Sequence, residues 1–135
     1  MAASKLGRGK ARILVIDDDE LVRSLFRKTP ANLGHRVIAA ETSPEGPELV
    51  KQEDFDMVFL DPKMPGMDGA ELSCRIKTIK TKLRVTIITS YPESDMMVRA
   101  LAQGPFGVMN KPFGAPDIVI AANVFIPITR ARTAY

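Results

Sequence analysis

A chain of 135 residues with 45% hydrophobic content is long and apolar enough for one self-supporting core, which excludes a disordered chain. Its 19 Lys and Arg against 16 Asp and Glu leave a net charge of only +3, and the basic tracts lack the interleaved aromatics of a nucleic-acid groove. A single cysteine, Cys74, excludes an internal disulfide, and no run has the form of a signal peptide or the length of a membrane span, so the expected address is cytoplasmic, with no direct nucleic acid and no membrane insertion.

Residues 1–11 form a basic N-terminal extension carrying Lys5, Arg8 and Lys10, and residues 12–135 read as a single domain without an appended output domain. The first strand is Arg12–Ile16, an apolar run that ends on Asp17, Asp18 and Asp19. A helix starts near Asp19 and carries Leu21/Val22 and Leu25/Phe26 as one stripe, until Pro30 should end or kink it. The second strand is Arg36–Ala40. After it, Ser43-Pro44 has the form of a cap and first turn, and Gly46 and Pro47 leave only a short helix.

The third strand is Met57–Leu60, followed by Asp61 and a turn rich in Pro and Gly. Asp68 with Glu71 resembles a capping box for a helix whose apolar face is Leu72, Ile76 and Ile79. The fourth strand is Arg84–Ile88, followed by Thr89. Ser90-Tyr91-Pro92-Glu93 suggests the next helix start, with a stop at Gly104. The fifth strand is Phe106–Met109, followed by Lys111, and a last helix follows Pro116 with Pro127 disturbing its end. Near-continuous apolar strands alternating with helices indicate an α/β fold, a parallel sheet with helices on both faces.

The unusual polar residues all fall at strand carboxyl ends, where open parallel sheets bind ligands. If the strand order is 2-1-3-4-5, Asp17 and Asp18 face Asp61 across the point where the winding reverses. Clustered carboxylates repel one another, and a hard divalent cation resolves the repulsion. Mg²⁺ takes one or two carboxylates and keeps waters for an incoming phosphate, beside which a lysine supplies a point charge and a threonine a hydroxyl. Such a set suits a phosphoryl group accepted on an Asp.

ILVIDDDE (Ile13–Glu20), FDMVFLDPKMPGMDG (Phe55–Gly69), VTIITS (Val85–Ser90) and MNKPF (Met109–Phe113) resemble, in that order, the response-regulator receiver domain of two-component signalling. The resemblance implies a flavodoxin-like (βα)5 fold with a five-stranded parallel sheet. It implies Asp61 as phospho-acceptor and Mg²⁺ held by Asp17, Asp18, Asp61 and the backbone carbonyl of Lys63. Thr89 would be the switch hydroxyl, and Lys111 the phosphoryl contact, with a cis Lys111–Pro112 bond. Lys63 and Tyr91 stand where the family tunes hydrolysis of the phosphoryl group.

The implied partners are a histidine kinase or phosphotransfer protein upstream. Downstream is a protein target, or self-association through the face of helix 4, strand 5 and helix 5. The only chemistry implied is the domain's own phosphoryl transfer and autodephosphorylation.

The chain departs from the family pattern at Val108, where a switch aromatic is expected, and at Pro30, Pro47, Pro105 and Pro127. Two other readings compete with the phosphorylation switch. One is a Mg²⁺-dependent phosphohydrolase of haloacid-dehalogenase type, whose opening Asp17-x-Asp19 mimics, although no cap domain fits this length. The other is a degenerate receiver acting as a binding module.

Overall fold

The computed structural model describes residues 11–32 and 34–122, with residues 30–32 described by backbone alone. Strands and helices alternate along it: β1 (Arg12–Ile16), α1 (Glu20–Asn32), β2 (Arg36–Ala40), α2 (Glu45–Gln52), β3 (Met57–Leu60), α3 (Gly69–Ile79), β4 (Arg84–Thr89), α4 (Asp95–Leu101), β5 (Gly107–Asn110) and α5, residues 115–122. The five strands form one parallel sheet in the order β2-β1-β3-β4-β5. The basic N-terminal segment and Pro127 lie outside the described residues.

Side chains alternate across each strand, so the sheet buries two separate cores. Leu14, Ile16, Val58, Leu60, Val85 and Ile87 face Val50 of α2, Leu72 and Ile76 of α3, and Met97 and Ala100 of α4. Ile13, Val15, Met57, Phe59 and Ile88 face Phe26 of α1 and Ile118 and Ala122 of α5. Each fully buried Leu, Ile or Phe stabilises the fold by roughly 1.5–3 kcal/mol. Phe26 joins three elements, with ring centroids 4.8 Å from Phe59 and 5.8 Å from Phe113. The contact anchors the loop that carries Lys111.

The first three strands have the expected bounds. β4 is longer by one residue, and β5 is displaced by one, because Thr89 pairs with Asn110 and its carbonyl accepts from Lys111 N at 2.7 Å. Asp19 caps α1 by accepting from Leu21 N at 2.9 Å. Pro30 lies inside α1, which runs two residues beyond it. A proline in a last turn removes a single intrahelical bond, so it does not stop the helix at once.

Ser43 does not cap α2. It is buried, its hydroxyl lies 3.4 Å from the Pro65 carbonyl, and Pro44 occupies the cap position. Gly46 and Pro47 both lie in the first turn of α2, where a missing N–H costs nothing. Asp68 caps α3 by accepting from Ala70 N at 2.7 Å, while Glu71 turns to Arg75 instead of closing the box. α4 is capped by Ser94, not Ser90, and ends at Leu101; Gly104, at φ +68°, closes the turn that follows. Pro116 sits within α5 and not before it. His35 is buried, and its Nδ1 accepts from Ala11 N at 3.0 Å.

Candidate functional site

The strand register builds the site. Ile16 pairs with Leu60, and Asp61 N donates to the Ile16 carbonyl at 3.0 Å, so Asp17 and Asp61 leave adjacent strands at the same level. Asp17 N donates to the Ala40 carbonyl at 3.1 Å, which holds the end of β1 against β2 as well. Asp17, Asp18 and Asp61 each bring a carboxylate oxygen within 4.8 Å of the others. Asp17 and Asp61 are buried, while Asp18 is exposed, so the cluster opens to solvent on one side.

Lys111 enters from the end of β5, directly before a cis Lys111–Pro112 bond. Its Nζ lies 2.8 Å from Asp17 Oδ2 and 2.8 Å from Asp61 Oδ2. Burial pushes the Asp17 carboxyl above its ordinary 3.8, and the bonds from Lys111 and the Asp19 amide offset only part of that. Burial alone would lower the Lys111 ammonium. The bonds to Asp17 and Asp61 outweigh it and hold the group above 10.5, protonated at neutral pH.

The rest of the pocket is made by turns. Lys63 N donates to Asp61 Oδ1 at 2.8 Å, which orients the carboxylate. The loop from Pro62 to Asp68 folds back tightly, with Lys63 bridged to Asp68. Gly69 makes this possible, since a β-carbon there would lie 2.3 Å from Pro62 Cβ. Thr89 is buried at the end of β4, and its hydroxyl accepts from Tyr91 N at 2.9 Å. The Lys63 ammonium lies 3.8 Å from the centre of the Tyr91 ring, so the two side chains tie the turn after Asp61 to the β4–α4 turn.

Asp17, Asp18, Asp61, Thr89 and Lys111 thus gather at one end of the sheet. The donor set suits a hard divalent cation. Every side-chain ligand is a carboxylate, and Asp17 Oδ2 is a buried acceptor with no well-aligned hydrogen bond, although the Lys111 ammonium stands beside it. Three carboxylates facing one ammonium leave an excess of negative charge that a bound Mg²⁺ would neutralise.

Arg23 was not singled out from the sequence. It is buried behind the pocket, and its Nη1 donates to the Asp17 carbonyl at 2.8 Å. A lone arginine near the start of a helix carries no sequence signal of burial.

Fold and pocket together define an open, doubly wound α/β domain with a carboxylate–lysine cluster at its topological switch point. The chain belongs to the response regulator receiver domain family, whose model matches residues 13–123. Members of the family act as phosphorylation switches in two-component signalling. Sporulation initiation phosphotransferase F of Bacillus subtilis is 33% identical over 117 residues, which are 87% of this chain and 94% of that protein.

The crystal structure of a CheY-like receiver domain protein from Methanospirillum hungatei superposes with a TM-score of 0.83 at 24% identity, over 90% of this chain and 97% of that one. The solution structure of the beryllofluoride-activated NtrC4 receiver domain dimer superposes with a TM-score of 0.77 at 27% identity, over 86% and 96%. No helix among the described residues is long and apolar enough to cross a membrane.

Proposed function

We propose that Asp61 is the phospho-acceptor and that Asp17, Asp18, Asp61 and the Lys63 backbone carbonyl hold Mg²⁺. The observation that carries this reading is the 4.8 Å cluster of Asp17, Asp18 and Asp61, with Lys111 bridging the two buried members. Asp61 is the member best suited to be esterified. One of its oxygens is held by the Lys63 amide and the other faces Lys111, which can exchange the carboxylate for a phosphoryl oxygen.

In the transfer, an Asp61 oxygen attacks phosphorus while the phosphorus–nitrogen bond of a phosphohistidine on a histidine kinase or phosphotransfer protein breaks. The imidazole leaves and recovers a proton from solvent. Mg²⁺ held by Asp17, Asp18 and Asp61 would supply charge neutralisation for the phosphoryl oxygens. Lys111 holds one of those oxygens as a point charge. The Thr89 hydroxyl donates to another while still accepting from Tyr91 N, which couples the phosphoryl group to the β4–α4 turn.

Slow hydrolysis of the acyl phosphate, in the same pocket, resets the domain. Lys63 and Tyr91 cover the approach and set the rate at which water arrives. Output runs through the face of α4, β5 and α5, where Val98, Leu101, Val108 and Ile120 are exposed. Its occupant is a downstream protein target or a second copy of the chain.

The phosphohydrolase alternative gives way to the family match, and the assembled pocket favours a competent receiver over a degenerate one. Incubation with acetyl phosphate and Mg²⁺ should give a retarded band on a phosphate-affinity gel that disappears with EDTA and in Asp61→Asn. An equal band in Asp61→Asn would remove Asp61 as the acceptor.

A further inference from the structure

One buried charge is left without a task by this chemistry. Arg23, in α1, is 6% exposed. Its Nη2 contacts Glu20 and lies 3.4 Å from Glu41, two carboxylates that are 65% and 67% exposed. Surface partners of that kind contribute at most about 1 kcal/mol, too little to account for a guanidinium drawn out of water. The bond that its burial serves is the one from Nη1 to the Asp17 carbonyl, 2.8 Å long and itself buried.

That carbonyl belongs to the peptide shared by Asp17 and Asp18. Every other polar group of Asp17 already faces a partner: its amide donates to Ala40 O, Oδ1 accepts from the Asp19 amide at 2.9 Å, and Oδ2, with no well-aligned hydrogen bond, stands beside the Lys111 ammonium. What remains free is the tilt of the Asp17–Asp18 peptide plane, and this decides how the exposed Asp18 carboxylate is aimed relative to Asp17. Arg23 fixes that tilt from behind. The N–H of Arg23 also bonds to the Asp19 carbonyl at 3.1 Å, so backbone and side chain of one residue hold both ends of the acidic turn.

We infer that Arg23 is a positioning residue of the cation site, setting the mutual geometry of Asp17 and Asp18 and with it the preference for a small octahedral divalent ion. The inference rests on the reading of Asp17, Asp18 and Asp61 as the Mg²⁺ ligands. Mg²⁺ demands near-ideal geometry, whereas Ca²⁺ accepts irregular oxygen shells. A loosened peptide therefore penalises Mg²⁺ more than Ca²⁺.

Calorimetric titration of the full chain with MgCl₂ and with CaCl₂, alongside thermal melts, tests this. Arg23→Lys and Arg23→Gln should melt cooperatively yet bind Mg²⁺ about 10–100-fold more weakly, the usual cost of losing an outer support. Their Ca²⁺ affinity should fall several-fold less. Glu41→Gln, which leaves the carbonyl bond in place, should bind both ions as the parent does.

Folded Arg23 variants with parental Mg²⁺ affinity overturn the inference, and so does an equal loss for both ions, which marks a merely structural role. Arg23→Lys keeps the charge and can still reach Glu20, so failure of that variant to fold would also overturn it by assigning Arg23 to stability alone. A parent chain that binds no Mg²⁺, or Asp61→Asn binding it as tightly as the parent, removes the metal-site reading instead.

Discussion

At the scale of single residues, the pocket works because it is held in a state that stability alone would not select. Asp17 is fully buried, next to two other carboxylates, with its pKa raised by burial. A carboxyl whose folded pKa lies above 3.8 keeps its proton longer in the folded chain than in the unfolded one. The contribution of Asp17 to stability is therefore greatest at and below the unfolded value and is lost as pH rises through the folded one. Near neutral pH the ionised Asp17 is a net cost that Lys111 offsets in part.

Asp17→Asn removes that cost. It should raise the melting temperature at pH 7 by a few degrees, on the order of 1 kcal/mol for a domain this size. If Asp17 holds Mg²⁺ as proposed, MgCl₂ should raise the melting temperature of the parent chain by binding the folded state, and the variant should lack that rise. Thermal melts at several pH values, with and without MgCl₂, check both outcomes; a less stable Asp17→Asn would show that Lys111 more than compensates the buried charge.

The same residues were legible in the sequence because each breaks a local rule. Asp is depleted in strands, yet Asp17 and Asp61 directly follow the apolar runs Ile13–Ile16 and Met57–Leu60. Arg23 and His35 were not legible. A lone Arg on a helix and a lone His before a strand look like surface residues, and only the fold brings the Asp17 carbonyl and the Ala11 amide to them.

At the scale of elements, strands were read almost to the residue, and so were the starts of α1 at Asp19 and α3 at Asp68, while those of α2 and α4 were not. Strand ends are marked by a change from β-branched to acidic or Gly/Pro residues, and parallel pairing leaves little freedom in register. Helix starts depend on which of several eligible residues wins the cap. Between β4 and α4 the sequence offers Ser90 and Ser94. Thr89 takes the Tyr91 amide, and Ser94 N bonds to the Tyr91 carbonyl at 3.2 Å, so the chain spends one turn before the helix begins. Ser94 then accepts from Met97 N at 3.1 Å. Ser94→Ala should cost about 1 kcal/mol, as loss of a cap does, whereas Ser90→Ala should cost a few tenths at most. Chemical denaturation of the two variants, compared at constant m-value, distinguishes the caps.

At the scale of the whole molecule, the pocket and the exposed apolar face lie on two sides of the same short strands. Thr89 ends β4 with its side chain buried, and β5 beside it is an edge strand whose alternate residues point outward. The position that would carry a ring in the family is Val108, 42% exposed and too small to swing into the space a moving Thr89 leaves. One physical connection from pocket to face runs through α4. Its entry turn is tied to Thr89 by the Tyr91 amide and to the turn after Asp61 by the Lys63–Tyr91 contact. Arg99 holds its flank to Asp68 at 2.7 Å.

A shift of α4 would regroup Val98 and Leu101 against Val108 and Ile120, all exposed in the present state. Sedimentation velocity with Mg²⁺ and beryllofluoride should therefore show a shift from monomer to dimer. Leu101→Glu and Val108→Glu, distant from the carboxylate cluster, should block the shift while leaving the acetyl-phosphate band intact. Dimerisation that survives both substitutions would place the contact on another face. Loss of the band as well would mean that the face and the pocket are not separable.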